Sequence, residues 1–201
     1  QRNGTTYPLW LRDRLRRLVL PVLPVLAVWT GVAAIALQTQ IDRGHVKVAS
    51  QAALVPVWFL ATYVLIVAVV PISLRVWERF GWSAFATVAG IAAIIDVANL
   101  GLGVPHVMWL NYIFVWNAVH FLGYAWVDGR ITSVRRSLSI AAGGLISLAT
   151  LVALFPYPLA MVGLDNAAVT NSNPPKVTLI ALGAFQFGLA MALAPAARRW
   201  L

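Results

Sequence analysis

Long apolar stretches separated by short polar segments form the main pattern along this chain. Six such stretches occur, at roughly Leu18–Leu37, Ala52–Leu74, Ser83–Leu100, Val107–Trp126, Leu138–Phe155 and Val177–Ala194. Their apolar positions are continuous and do not alternate with polar ones, which favours helices over the strands of a β-barrel. About 20 helical residues cross a bilayer core of ~30 Å, and each stretch nearly supplies that length. The pattern predicts an all-α polytopic transmembrane helical bundle of about six spans.

The composition agrees with this interpretation. Of 201 residues, 61% are hydrophobic and only 10% are charged, and the mean hydropathy is +0.81. A water-soluble domain of this length normally carries more charge and less apolar surface. A soluble enzyme or a soluble binding domain is therefore excluded as the class of this chain.

The cationic residues are distributed unequally between the two sides of the predicted spans. Twelve of the fifteen lie on one side, namely Arg2, Arg12, Arg14, Arg16, Arg17, Arg75, Arg79, Arg130, Arg135, Arg136, Arg198 and Arg199. The other side carries Arg43, Lys47 and Lys176. Because cationic loops resist translocation, the richer side is predicted to be cytoplasmic. We therefore expect an integral protein of the bacterial inner (plasma) membrane with both ends of this chain in the cytoplasm.

The net charge of +9 has a membrane explanation. The cations lie in short segments beside the spans, where they contact anionic lipid headgroups, and no basic domain outside the bilayer is available to bind nucleic acid. Membrane lipids, and possible further membrane subunits, are the expected partners. The chain has no cysteine, and its three histidines form no spacing typical of a metal site, so no metal is expected.

The chain is expected to form one transmembrane domain over residues 1–201. It opens with Gln1 and enters the first apolar stretch almost at once, and it stops directly after a basic helix end. This pattern is typical of the middle of a longer membrane domain of about ten helices.

Two ionisable residues, Asp96 and His120, fall inside predicted spans, where an unpaired charge is costly. At ~1.5 Å per residue, Asp96 lies about 20 Å and His120 about 9 Å from the inner interface, so the two are not expected to touch. Asn111 lies near the depth of Asp96. A structural Asp96–Asn111 hydrogen bond is therefore predicted.

A polar stripe runs along the fourth predicted span. Asn117, His120 and Tyr124 are spaced at i, i+3 and i+7, which places them on one helix face that must point into the bundle. One interpretation is a channel for an acyl donor, with His120 as the candidate proton donor or base near neutral pH. The other is an interhelical histidine whose hydrogen bonds serve packing alone.

The segment before the first span concentrates positive charge. Arg12, Arg14, Arg16 and Arg17 lie within six residues, and each guanidinium can bind two phosphate oxygens at once. A coenzyme A nucleotide suits such a cluster. An ordinary cationic membrane anchor is the alternative.

The connection from Pro156 to Lys176 is long and rich in proline and asparagine. Segments of this length inside a compact fold often cover a site, so a lid or cap over the outer side is one expectation. A plain linker is the other.

Several motifs, in order along the chain, resemble the acyltransferase type 3 family of bacterial membrane O-acyltransferases. They are Arg14-x-x-Arg17 followed by Leu and Pro, the Trp-Phe-Leu helix start in Pro56–Leu60, Trp109–Tyr112, the Phe-Leu-Gly-Tyr run in His120–Tyr124, and the Asn-x-Asn-Pro-Pro of Asn171–Pro175. The resemblance spans nearly the whole chain.

The resemblance implies an enzyme that moves an acyl group from cytoplasmic acyl-CoA, its donor substrate, to a hydroxyl group of a glycan or lipid acceptor at the outer face of the cell envelope. It implies that Arg14 and Arg17 hold the coenzyme A phosphates. The key histidine of the family lies in an earlier helix motif, and none of His45, His106 or His120 matches that position. A transporter or flippase for a lipid-linked sugar, and a non-enzymatic membrane scaffold subunit, are the alternatives.

Overall fold

The computed structural model of the chain describes residues 7–39, 43–161 and 170–197, and the regular elements within these ranges are all helical. The α-helices are α1 (Tyr7–Val19), α2 (Val22–Gln38), α3 (Arg43–Phe80), α4 (Trp82–Asp96), α5 (Asn111–Val127), α6 (Val134–Leu154) and α7 (Val177–Ala197). A π-helical turn, Val97–Gly101, continues α4, and a 3₁₀ turn, Val107–Leu110, precedes α5. The predicted all-α class is confirmed. Arg2, Arg198 and Arg199, which contributed to the predicted sidedness, lie outside the described residues.

Five segments of the described chain are long and apolar enough to cross a membrane, whereas the sequence predicted about six spans. They are Tyr7–Gln38, Phe59–Phe80, Trp82–Gly101, Val134–Leu154 and Val177–Ala197. The predicted span at 107–126 corresponds to α5, which has 17 residues because the 3₁₀ turn replaces its first α-helical turn. Its α-helix is therefore shorter than the predicted span.

The polar connection that the sequence places at residues 38–51 is also largely helical. Helix α3 starts at Arg43 and continues for 38 residues to Phe80. Alanine and glutamine favour helix, and the stretch from His45 to Gln51 contains neither glycine nor proline to interrupt it. The apolar pattern, which started the second span at Ala52, therefore placed the start of this helix too late.

The chain divides into two compact units, Gln1–Val70 and Pro71–Leu201, and the prediction of a single transmembrane domain stays a prediction. In the first unit, α1 ends at Val19 and α2 begins at Val22, with Pro21 between them. Proline lacks the N–H that would continue the α-helical ladder, which explains the break. The Tyr7 hydroxyl donates a hydrogen bond of 2.7 Å to the Ala68 carbonyl and so ties α1 to α3.

In the second unit, α6 and α7 pack along each other at very short range. A Cβ on Gly144 would lie 2.4 Å from the backbone nitrogen of Phe185, and a Cβ on Gly188 would lie 2.5 Å from that of Ala141. Small residues permit this approach, as they do at many helix contacts in membranes. The two helices form a closely packed wall of the unit.

Helices α4, α5 and α7 contact one another beside that wall. Their shared core contains Ala92 of α4, Val115 and Ala118 of α5, and Leu179 and Ile180 of α7. A second core surrounds Trp77, which is fully buried. The core positions the polar side chains of α4 and α5 described below.

Candidate functional site

Asp96 is the centre of a buried hydrogen-bond group in the second unit, and only 2% of its surface is exposed. Its Oδ1 accepts a bond of 2.8 Å from Asn111 Nδ2, which confirms the predicted pairing. Its Oδ2 accepts one bond of 3.0 Å from the Tyr157 hydroxyl and another of 2.8 Å from the backbone N–H of Val177. One carboxylate thus joins α4, α5, the 155–176 segment and the start of α7.

The position of Asp96 follows from local structure. It is the last residue of α4, directly before the π-helical turn, and π-helical turns within helices often coincide with functional positions. Val177 is the first residue of α7, so the carboxylate meets the positive end of the helix dipole. Both features favour a charged or strongly polar acceptor here.

The segment that follows α6 surrounds this carboxylate. Burial raises the pKa of the Tyr157 hydroxyl, and the nearby negative charge of Asp96 raises it further. Burial lowers the pKa of Lys176, and the charge of Asp96 opposes that shift. Lys176 Nζ donates to the carbonyls of Thr170 and Pro174. The site therefore contains a phenol and a lysine amine, both held in place by hydrogen bonds.

Asn171 fastens the same segment to α7. Its Nδ2 donates to the carbonyls of Pro158 and Ala160, and its Oδ1 accepts a bond of 2.8 Å from the hydroxyl of Thr178. Asn171 and Thr178 are fully buried. The described parts of this segment are thus packed and hydrogen-bonded, unlike a plain linker, and the expectation that the segment covers a site stays a prediction.

The predicted polar stripe of α5 lies in the same unit and is only partly buried. The rings of His120 and Tyr124 meet edge to face with 4.9 Å between centroids. The hydroxyls of Tyr124 and Ser73 are 3.1 Å apart. Asn117 Oδ1 is buried and has no hydrogen-bond partner among the described residues. The stripe therefore contains one buried acceptor without a partner in the described chain, as does Asn111 Oδ1 at the start of the same helix.

The structure keeps the stripe and the buried carboxylate separate. No hydrogen bond or ion pair joins Asp96 to His120 within the described ranges, as their predicted depths implied. The other two histidines lie elsewhere: His45 is exposed on α3, and His106 occupies a left-handed turn with φ of 63° before α5. Of the described residues, no group of three His, Asp or Glu is placed to hold a metal ion.

The arginines of the first unit line an open groove at the end of α1. Its volume is about 560 Å³, and its lining residues are Asp13, Arg16, Arg17, Leu20 and Pro21. Arg17 is exposed on this groove as the phosphate hypothesis requires. Arg14 is exposed but is not among the lining residues, and its Nη2 donates a bond of 2.9 Å to the Tyr63 hydroxyl. The structure thus separates the two predicted phosphate ligands into one groove residue and one residue tied to α3.

Sequence reasoning missed Tyr157, Lys176, Asn171 and Thr178 as parts of a common hydrogen-bond group. The intramembrane aspartate was the available signal, because a buried carboxylate needs several donors. Two of those donors, the Tyr157 hydroxyl and the Val177 N–H, lie 61 and 81 residues along the chain from Asp96, and no local spacing reveals them.

The chain was compared with protein families, curated proteins and solved structures. A family model described as "Acyltransferase domain" matches residues 1–201. No curated protein and no solved structure matches the chain.

Proposed function

The chain belongs to this acyltransferase family, and on that premise we propose that it is a membrane O-acyltransferase acting on acyl-CoA and a hydroxyl group of a glycan or lipid. The membership and the apolar helices make it an integral membrane acyltransferase. The transporter and scaffold alternatives have no such support. Placement in the bacterial inner membrane, a cytoplasmic donor, cytoplasmic ends and an acceptor at the outer face form the finer part of the proposal.

The observation that carries the donor assignment is the arginine-lined groove. Arg16 and Arg17 present exposed guanidinium groups beside the first apolar span, where a polyphosphate can lie at the surface while a thioester arm extends toward the membrane. Asp13 also lines the groove, and its carboxylate offsets part of the positive charge. Arg14 lies outside the groove lining, where it bonds to the Tyr63 hydroxyl and retains further N–H donors.

The reaction needs a proton acceptor and hydrogen-bond donors. The hydroxyl oxygen attacks the thioester carbonyl carbon, its proton passes to a base, and the tetrahedral intermediate expels coenzyme A thiolate, which then takes up a proton. Donors near the carbonyl oxygen stabilise the negative charge of that intermediate. In the described chain His120 is the candidate base, and Asn117 Oδ1 is the candidate acceptor for a substrate hydroxyl.

The test is acyl-CoA binding to the purified full chain in detergent. We expect Arg17→Gln to weaken binding about tenfold, because a charge-assisted bond to phosphate is lost. Arg43→Gln is the matched control: it removes one positive charge from an exposed position at the start of α3 in the same unit, outside the groove lining. Equal losses of acyl-CoA binding in both variants would show only a general attraction of acyl-CoA to positive charge. Unchanged binding by Arg17→Gln would contradict the assignment of the groove as the donor site.

A further inference from the structure

A second arginine pocket lies in the 71–201 unit, and its residues have no part in the acyl-transfer proposal above. It has a volume of about 400 Å³ and is lined by Trp82, Arg130, Ile131, Arg136, Ser139 and Ile140. These residues come from the start of α4, the turn between α5 and α6, and the first turns of α6. We propose that this pocket binds the phosphate group of an anionic lipid headgroup.

The Arg130 guanidinium is held in place from three sides. It lies 5.0 Å from the ring centroid of Trp77, and its Nε is 3.6 Å from Asp128 Oδ2. Asp128 is itself fixed by a bond of 2.6 Å from Trp77 Nε1. Gly81, at φ of +53°, leaves the space that Arg130 fills, since a Cβ there would lie 2.3 Å from Arg130 Nη1. An arginine fixed in this way loses little conformational freedom when it binds an anion.

Arg136 supplies the second cation. Its Nη1 donates a bond of 3.1 Å to the carbonyl of Arg130, and its backbone N–H donates to Ser133 Oγ at the start of α6. Within the described ranges no carboxylate lies in ion-pair distance of Arg136, and Asp128 offsets Arg130 only in part. The pocket therefore keeps positive charge, and the amino-terminal end of α6 adds to it. The Ser139 hydroxyl donates to the Arg135 carbonyl, so the two arginines are the main phosphate donors.

Three apolar helices end at this pocket, which places it at a membrane surface. The span Phe59–Phe80 ends directly before Gly81, the span Trp82–Gly101 begins with a lining residue, and the span Val134–Leu154 begins two residues before Arg136. Trp82 is 40% exposed, and indole rings prefer the headgroup region. Ile140 and the indole ring offer an apolar wall beside the cations. A phosphate that carries acyl chains fits this combination better than a freely dissolved phosphate.

The experiment is a lipid titration of the purified full chain in detergent, followed by native mass spectrometry. The probes are dioleoyl phosphatidylglycerol, dioleoylglycerol, which has the same acyl chains without phosphate, and glycerol phosphate, which has phosphate without acyl chains. We expect phosphatidylglycerol to bind at least about tenfold more tightly than either of the others. If dioleoylglycerol binds equally well, the pocket does not recognise the phosphate, and the proposal is wrong. If glycerol phosphate binds equally well, the pocket binds a soluble phosphate and not a lipid.

Variants then locate the binding. Arg136→Gln should weaken phosphatidylglycerol binding about tenfold, whereas Arg135→Gln, one residue away and outside the pocket lining, should change it less than about twofold. Gly81→Ala should weaken binding without removing a charge, because the new methyl group displaces Arg130. Equal losses in Arg135→Gln and Arg136→Gln would overturn the pocket in favour of general surface charge.

The thermal unfolding midpoint separates loss of binding from loss of fold. If Arg136→Gln does not fold, Arg136→Lys decides, because it keeps the charge but lacks the planar fork that binds two phosphate oxygens. Weaker phosphatidylglycerol binding by a folded Arg136→Lys supports the proposal. Unchanged binding by that variant contradicts it.

Discussion

Helix α5 carries two polar groups that differ in how many segments their hydrogen bonds join. At its start, Asn111 is fully buried, and its Nδ2 bonds to Asp96, whose carboxylate also accepts bonds from Tyr157 and the N–H of Val177. Further along, Asn117 and His120 are partly buried, and Oδ1 of Asn117, like Oδ1 of Asn111, has no partner in the described chain. The first group holds four segments together, whereas the described contacts give Asn117 and His120 no such role.

The difference has an energetic basis. A buried donor that loses its acceptor costs about 1–3 kcal/mol, and this cost explains why three donors converge on Asp96. A buried acceptor without a partner carries a similar cost, which a bound hydroxyl group relieves. We therefore expect substitutions at Asp96 to reduce stability first and those at Asn117 and His120 to reduce acyl transfer first.

The largest effect is expected for Asp96→Ala. The substitution leaves Asn111, Tyr157 and the Val177 N–H without their shared acceptor, and at about 1–3 kcal/mol per donor the free energy of unfolding should fall by roughly 3 kcal/mol or more. The measurement is the thermal unfolding midpoint in detergent.

Two variants control this experiment. Tyr157→Phe removes one donor and keeps the carboxylate, so it should cost only about 1 kcal/mol. Asp13→Ala removes an exposed carboxylate in the other unit and should leave the midpoint unchanged. An Asp96→Ala protein that keeps the wild-type midpoint would show that the carboxylate is not structural.

A smaller effect on stability and a large one on the reaction are expected for His120→Gln. The edge-to-face contact with Tyr124 contributes only about 0.5–1.5 kcal/mol. Loss of a general base typically slows a reaction about 100-fold or more. The measurement is the steady-state rate of acyl transfer at a fixed, saturating concentration of acyl-CoA. The unfolding midpoint is recorded on the same preparation.

His120 has a matched control in His106, which lies in the turn before α5. His106→Gln should retain the wild-type rate of acyl transfer. If His120→Gln also retains the wild-type rate, His120 is not the base, and both polar groups of α5 have only a structural role.

The sequence predicted the helical class and the Asp96–Asn111 bond because both depend on local quantities. Hydrophobic runs determine the helices, and a rise of ~1.5 Å per residue is enough to match the depths of two residues on neighbouring helices. The same reasoning placed Asn117, His120 and Tyr124 on one face. The structure brings His120 and Tyr124 together as that spacing implied.

Other features depend on contacts between distant segments, which a single sequence does not display. The donors from Tyr157 and Val177 to Asp96 come from residues far along the chain, which the fold brings to one carboxylate. The separation of Arg14 from the groove at Arg17 depends on Tyr63 of α3, which accepts the Arg14 bond. Helix α3 also begins earlier than expected, because polar residues beside a span form helix as readily as loop.

The smallest effect, and the sharpest contrast, is expected between two asparagines of α5. Asn117→Leu replaces a buried carbonyl that has no partner among the described residues, so the unfolding midpoint should stay constant or rise slightly. Asn111→Leu removes a donor from the Asp96 carboxylate, so the unfolding free energy should fall by about 2 kcal/mol and the midpoint should fall with it.

For acyl transfer, Asn117→Leu should have the larger effect of the two. It should raise the KM for the hydroxyl acceptor several-fold, because one substrate hydrogen bond of about 1 kcal/mol is lost. Equal midpoints would show that the two asparagines do not differ in their structural role. An unchanged acceptor KM in Asn117→Leu would show that the unsatisfied Oδ1 of Asn117 binds no substrate hydroxyl.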